Sequence, residues 1–217
     1  MFIELAKKAL ASPVVFRTYQ SLIGAPECQR RFIHGMVAPT PGERVLDVGC
    51  GVGASLRYIP DSVDYLGIDI SEAYISRAKA DYGQRGKFIC ADITTLDAGA
   101  LGTFDRAFCF GVLHHLSDAM VAQAVKFVRR VVKPGGVFVS IDPCRVPGQH
   151  AVARLIIDHD RGEYIRDPAG FQRIVSDLGQ VHSKIYSDLL RIPYTQIVMR
   201  VEVADAAAPG NSAKASG

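Results

Sequence analysis

The sequence carries little net charge and has no long apolar run. Its 217 residues hold 25 Lys and Arg against 22 Asp and Glu, a net charge of +3. So small a surplus gives no reason to expect a nucleic acid or an anionic membrane as partner. Every apolar run ends before the length of about 18 residues that a membrane-spanning helix needs, and the N-terminal runs also stop short of a signal peptide. We therefore predict no membrane span.

The cysteines are unsuited to a disulfide framework or a zinc site. There are five of them, an odd number, and they are widely spaced and never form C-x-x-C. Reduced thiols are the simpler interpretation, which favours a cytoplasmic protein, and we expect no metal site. The apolar share of 48% and the charged share of 22% are typical of a globular domain.

Short runs rich in Val, Ile and Phe alternate with segments of helical period, which predicts a parallel sheet with helices on both faces. These runs are apolar on both faces, as a sandwiched sheet requires. The last two runs, 180–186 and 194–203, are joined by a link too short for a crossover helix, so we expect them to pair antiparallel. The earlier predicted strands are 44–48, 64–68, 87–90, 104–110 and 136–141.

Capping residues predict where helices begin. Ser71 opens a helix over 71–82, and Ser117 opens another that the Lys-Pro-Gly-Gly sequence at 133–136 stops. Asp167 precedes a proline and opens a helix that ends at Gly179.

Two segments stand outside the alternation. Residues 1–39 form a helical preface, and 143–166 form an insertion whose middle has helical period; both are candidate covers for the carboxyl edge of the sheet. Residues 40–203 hold the main domain. The tail 204–217 lacks apolar periodicity, so we expect it to be disordered. The sequence predicts no oligomeric state.

A glycine-rich turn follows the first predicted strand and precedes a helix expected over 54–59. Backbone without Cβ atoms lets a ligand lie against the main chain beside the free N–H groups of the next helix. The glycines also satisfy G-x-G-x-x-G/A, so this pattern leaves NAD open. The acid that enters the turn favours another ligand, because a carboxylate repels a pyrophosphate and suits an ammonium or a sulfonium. The motif reads Asp47-Val48-Gly49-Cys50-Gly51-Val52-Gly53.

Two more acids follow predicted strands. Asp69 ends the second strand, where an acid about 20 residues past the glycines can accept both hydroxyls of an unphosphorylated ribose. Asp92 follows the third strand and places an acceptor where an adenine amino group can be bound.

With these motifs in this order, the chain resembles the class I S-adenosylmethionine-dependent methyltransferases over about residues 40–142. Segments 104–116 (FDRAFCFGVLHHL) and 132–136 (VKPGG) match the family's fourth strand and the turn into the fifth, and 171–203 agrees with its closing strands. The resemblance implies an α/β, Rossmann-like, seven-stranded and mostly parallel sheet with one antiparallel strand and helices on both faces. It also implies that S-adenosylmethionine lies across the carboxyl edge.

The resemblance implies a role for each matching residue, within a glycine motif that includes Cys50 and Gly53. From chain order alone, Tyr19 is placed over the cofactor's carboxylate. In the family pattern, Gly49 and Gly51 pass beneath the methionine part, Asp69 holds the ribose, Asp92 holds the adenine amine, Ile70 and Ile93 sandwich the ring, and Cys109 and Phe110 face the methionine amine and the reacting methyl.

His114 and His115 follow the fourth strand, at the expected mouth of the acceptor pocket. Either imidazole can serve as a general base if the acceptor must lose a proton, or the pair can simply pack or cap there. We expect methyl transfer to oxygen, nitrogen or carbon of a small, partly apolar metabolite. The alternatives are an NAD-dependent oxidoreductase and a cofactor-binding module without turnover.

Overall fold

The apolar runs form one sheet of seven strands: β1 (Arg44–Val48), β2 (Asp64–Asp69), β3 (Lys87–Cys90), β4 (Phe104–Phe110), β5 (Val132–Pro143), β6 (Val181–Tyr186) and β7 (Gln196–Glu202). Their order across the sheet is β3-β2-β1-β4-β5-β7-β6. A computed structural model describes residues 22–160 and 162–205. Strands β1 to β5 pair in parallel, and β7 pairs antiparallel with both β5 and β6. The seven-stranded sheet with one reversed strand is confirmed.

Helices cover both faces of the sheet. One core lies under the helices 118–131 and 168–175 and includes Val121 and Phe171. The other lies under the helices 25–32 and 72–82 and includes Phe32 and Ile75. Within the described ranges, no helix is both long and apolar enough to cross a bilayer. The α-helices are α1 (Ala25–Phe32), α2 (Glu72–Tyr82), α3 (Asp118–Val131), α4 (Ala151–Asp158) and α5 (Pro168–Val175).

The predicted caps are present. Ser71 accepts a hydrogen bond from Tyr74 N–H, Ser117 accepts one from Met120 N–H, and Asp167 accepts one from Gly170 N–H. Each side chain satisfies an N–H group that the first helical turn leaves unpaired.

Several predicted boundaries differ from the structure; strand β5, for example, spans Val132–Pro143 rather than 136–141. Helix α3 ends at Val131, before the Pro-Gly-Gly signal, because Val132 is already extended and pairs with Phe104 at the start of β5. The helix expected over 54–59 is a short 3₁₀ turn, Ala54–Tyr58. Pro60 ends it, since the residue before a proline avoids the helical region and Ile59 is extended.

Several predictions fall on residues that the structure does not describe. Tyr19, the first part of the preface 1–39 and nearly all of the tail 204–217 lie outside the described residues. The described end of the preface is α1, which begins after Gly24 and continues into a π-helical turn, Ile33–Val37.

Candidate active site

The turn after β1 contains three glycines in left-handed conformation. Gly49, Gly51 and Gly53 have φ of 73°, 55° and 73°. A Cβ on Gly49 would lie 2.6 Å from Val112 Cγ2, and one on Gly53 would lie 2.8 Å from Phe88 Cε1. A Cβ on Gly51 would meet no atom within 4 Å. Two glycines are therefore needed for packing, whereas the third has open space beside it.

Asp69 binds the open part of this turn. Its Oδ2 accepts from Gly51 N–H at 2.9 Å, and its Oδ1 accepts from Ser71 N–H at 2.8 Å. Strand β2 pairs with β1 in parallel, which brings the ends of both strands to the same edge. A carboxylate has about four acceptor positions, so two remain for hydroxyl donors of a ligand.

Asp47 is turned away from the open edge. Only 1% of its surface is exposed, and its Oδ2 accepts from the buried Tyr65 hydroxyl at 2.7 Å. Burial outweighs this hydrogen bond and raises the pKa of Asp47 to about 7. The sequence led us to expect a carboxylate that meets a cationic ligand directly. The structure gives this side chain no free surface for such a contact.

Cys50 and Cys109 also pack inside the molecule. Cys50 fits against Gly67, where an added Cβ would lie 2.8 Å from its Sγ, and Cys109 belongs to the buried core on the α3 side. Phe110 points to the other face and contacts Phe32 edge-on, with ring centroids 5.4 Å apart. Of the pair predicted to face the reacting groups, only Phe110 keeps partly exposed side-chain surface.

The ends of β2 and β3 carry the residues predicted to hold a nucleoside. Ile70, beside Asp69, is 71% exposed and presents apolar surface at this edge. Ile93 is partly buried against the core. Asp92 Oδ1 accepts from the backbone N–H of Thr94 at 2.8 Å and from its hydroxyl at 2.7 Å. Apolar surface and an acceptor thus lie along neighbouring strand ends.

The two histidines differ in their surroundings. His114 is 6% exposed, and its ring nitrogens face Asp142 Oδ1 at 2.9 Å and Asp160 Oδ1 at 3.5 Å. Burial lowers the pKa of His114, but the hydrogen bonds to these carboxylates outweigh it and raise the pKa to about 9. His115 is exposed, with its ring centroid 4.0 Å from that of His114. Catalysis by either histidine stays a prediction, and an imidazole that is already protonated is poorly suited to act as a base.

Sequence reasoning missed Asp142 and Asp160. Asp142 follows the apolar part of β5, as Asp69 follows that of β2, so the rule that placed Asp69 at the edge also applies to it. Asp160 lies just after α4 in the insertion, where no sequence pattern indicated a partner for His114.

Comparison with known proteins identifies the family. Residues 45–136 match a family model described as a methyltransferase domain. The crystal structure of magnesium protoporphyrin IX methyltransferase from Synechocystis PCC 6803 with bound SAH aligns at a TM-score of 0.64 and 21% identity, over 86% of this chain and 87% of that one, which shows the shared fold. Residues 45–136 thus form a methyltransferase domain of the class I, S-adenosylmethionine-dependent kind. Its cofactor is S-adenosylmethionine.

Curated members of this methyltransferase family are similar over part of their length. Phosphoethanolamine N-methyltransferase 1 of Triticum aestivum is 32% identical over 145 residues, 64% of this chain and 28% of that protein. Ubiquinone biosynthesis O-methyltransferase of Thiobacillus denitrificans is 31% identical over 156 residues, 65% of this chain and 66% of that protein. The chain spans only part of its curated relatives, between 28% and 66% of their lengths.

The residues at the edge fit S-adenosylmethionine. The open side of Gly51 leaves room for a ligand along the main chain, and the Asp69 carboxylate lies next to it with acceptor positions left for ribose hydroxyls. Exposed Ile70 offers apolar surface to a flat ring. Open space beside the main chain, an acceptor for hydroxyl groups and an apolar surface therefore lie together at this edge.

A methyl group added at Gly51 tests whether this open space holds the cofactor. We expect Gly51→Ala to lower the affinity for S-adenosylhomocysteine at least tenfold in calorimetry, because the added Cβ takes space that the ligand needs. Gly42→Ala is the matched control, since Gly42 also has a positive φ of 85° and open space around its Cβ position. Both variants carry a strain of roughly 1–2 kcal/mol. Equal affinities in the two variants would show that the cofactor does not lie on Gly51.

Removal of the Asp69 carboxylate tests the ribose contact. We expect Asp69→Ala to weaken cofactor binding by about 2–4 kcal/mol, because two hydroxyls lose a charged acceptor and the turn loses its anchor. Asp97→Ala is the control: Asp97 likewise accepts from the N–H two residues ahead, that of Gly99, away from the glycine turn. Calorimetry that finds affinity unchanged in Asp69→Ala would refute the assignment.

Proposed function

We propose that this protein transfers the methyl group of S-adenosylmethionine to an oxygen, nitrogen or carbon atom of a small, partly apolar molecule. The main support is the Asp69 carboxylate, which accepts a hydrogen bond from the N–H of Gly51, a glycine with open space beside it. The names of the two curated relatives above support a small acceptor, and they differ in the acceptor atom. The five free thiols are compatible with a reducing, cytoplasmic setting.

We assign roles to the edge residues on the same basis. Gly49 and Gly51 would run beneath the methionine part, Asp69 would bind the ribose, and Asp92 the adenine amine. Ile70 and Ile93 would hold the ring between them. The Phe110 ring, fixed against Phe32, would form an apolar wall near the acceptor.

The bound cofactor supplies an electrophilic methyl group on a sulfonium, which a nucleophile displaces in line. The protein's contribution is therefore to align the acceptor and to exclude water. Buried side chains of the β4 and β5 ends, among them Cys109 and Cys144, make a rigid floor for that alignment. A base is required only for an acceptor that must lose a proton, and of the two histidines His115 is the exposed one.

Thermal stability with two different nucleotides tests the choice of cofactor. A ligand at about 100 times its dissociation constant stabilises the folded state by about 2.7 kcal/mol. We expect S-adenosylhomocysteine to raise the melting temperature and NAD to leave it unchanged. Stabilisation by NAD alone would favour the oxidoreductase that the glycine pattern left open.

Transfer of label tests turnover. Protein incubated with methyl-labelled S-adenosylmethionine and a metabolite extract, supplemented with phenols and primary amines, is expected to yield a labelled small molecule. Asp69→Ala is the negative control, because it should lose both cofactor affinity and label transfer. Tight binding of S-adenosylhomocysteine without any labelled product would contradict the proposed transfer and favour a cofactor-binding module.

A further inference from the structure

The insertion 143–166 is joined to the sheet edge through the buried ring of His114. The Nδ1 atom lies 2.9 Å from Asp142 Oδ1, and Nε2 lies 3.5 Å from Asp160 Oδ1. Asp142 belongs to β5 and is completely buried, whereas Asp160 follows α4 in the insertion. One imidazole thus bridges the sheet and the segment beside it.

The backbone of the insertion packs closely on the same ring. A Cβ on Gly162 would overlap His114 Cδ2, so only glycine fits there. Tyr164 N–H donates to His114 O at 3.0 Å, and Arg166 Nη1 donates to Leu113 O at 3.0 Å. These contacts hold the loop after β4 and the insertion against each other on either side of the imidazole.

The charges around the ring favour its protonated form. Asp142 accepts from the backbone N–H of His114 at 3.2 Å as well as facing the ring, and its Oδ2 is buried with no hydrogen-bond partner among the described residues. Burial raises the pKa of Asp142, and the hydrogen bond with His114 opposes that rise. A buried carboxylate with an unpaired oxygen is costly unless an opposite charge lies next to it. The Arg166 guanidinium donates to the backbone carbonyls of Leu113 and Leu116 and to the Asp118 carboxylate, not to Asp142. The cation placed to balance Asp142 is therefore the His114 ring.

Asp160 is held in an ionised state from several directions. Its Oδ1 accepts from Gly162 N–H at 2.8 Å, and its Oδ2 accepts from the Tyr194 hydroxyl at 3.1 Å. Burial raises the pKa of Asp160, but the hydrogen bond with His114 and the one from Gly162 outweigh it and lower the pKa to about 2. The exposed His115 also lies against His114, with the ring centroids 4.0 Å apart. The contacts of His114 with Asp142 and Asp160 make this cluster an ion-pair network. Among the described residues, no group of His, Cys, Asp and Glu side chains has the arrangement of a metal site.

We propose that His114 is a positioning residue: as an imidazolium shared between Asp142 and Asp160, it latches the insertion against the loop after β4 and so fixes one wall of the acceptor pocket. The assignment of this wall to an acceptor pocket rests on the proposed methyl transfer, whereas the latch formed by His114, Asp142 and Asp160 does not depend on it. In this arrangement both ring nitrogens donate hydrogen bonds, so neither accepts a proton from the acceptor.

Nuclear magnetic resonance of ¹⁵N-histidine-labelled protein tests the charge on the ring, with the His114 signals assigned from their loss in His114→Gln. We expect both ring nitrogens to be protonated at pH 7 and to titrate with a pKa of about 9. A neutral ring at pH 7 would overturn the proposal. The titration itself is measured on the unaltered protein, and the variant serves only to assign the His114 signals.

Hydrogen exchange tests whether the charge holds the insertion. In His114→Gln and Asp160→Asn we expect the amides of Gly162 and Tyr164 to exchange at least tenfold faster at pH 7, while β1 amides and the affinity for S-adenosylhomocysteine stay unchanged. The control is Asp158→Asn, which removes an exposed ion pair with Arg145 in the same insertion.

The pH profile separates a charged latch from simple packing. Because the folded state raises the pKa of His114 from 6.5 to about 9, its stabilising contribution is complete below pH 6.5 and is lost as the pH rises through about 9. The protection of the Gly162 and Tyr164 amides from hydrogen exchange, corrected for intrinsic exchange, should therefore fall between pH 8 and 10 in the unaltered protein. It should show no such step in His114→Gln. An identical step in both proteins, or unchanged protection in both variants, would refute the latch. Failure to bind S-adenosylhomocysteine would instead count against the proposed function.

Discussion

The two hydrogen bonds that Asp69 accepts from backbone N–H groups hold the edge of the sheet together. Glycine adopts the left-handed conformation without a steric cost, but it loses more conformational freedom on folding than any other residue. A turn with three left-handed glycines is therefore weakly stable by itself. The carboxylate at the end of β2 fixes this turn from the neighbouring strand, through Gly51, and fixes the start of α2 through Ser71. The parallel register of β1 and β2 makes this possible, because it sets the two strand ends side by side.

Three aspartates lie near strand ends at this edge, and each has different surroundings. Asp69 accepts hydrogen bonds from backbone N–H groups and is partly exposed. Asp47 is buried against the hydroxyl of Tyr65, and Asp142 is buried against the imidazole of His114. Only the first has surface for a ligand. The other two are buried, and each is hydrogen-bonded to a neighbouring side chain, because an unpaired buried carboxylate would be costly.

The sequence predicted the sheet well because its strands are apolar on both faces and are bounded by turn residues. Strands β1, β3 and β4 have the predicted bounds, and the caps at Ser71, Ser117 and Asp167 are present. The orientation of side chains was harder to predict. Alternation along a strand states that Cys109 and Phe110 face opposite ways but not which of them faces the site, since that depends on which helices cover each face.

Long-range partners were beyond any local pattern. The link between His114 and Asp160 joins two loops through an insertion that has no motif, so only the folded chain brings them together. The end of α3 was misplaced for a related reason: pairing of Val132 with Phe104 on β4 outweighs the local stop signal that follows.

The 3₁₀ turn Ala54–Tyr58 influences which ligands the edge attracts. A long α-helix at this point would direct a positive dipole end at the ligand and draw in phosphate groups. A turn of five residues provides little of that field. A polyanionic nucleotide therefore gains no electrostatic attraction from it, and a donor that is itself a cation meets no repulsion on entering.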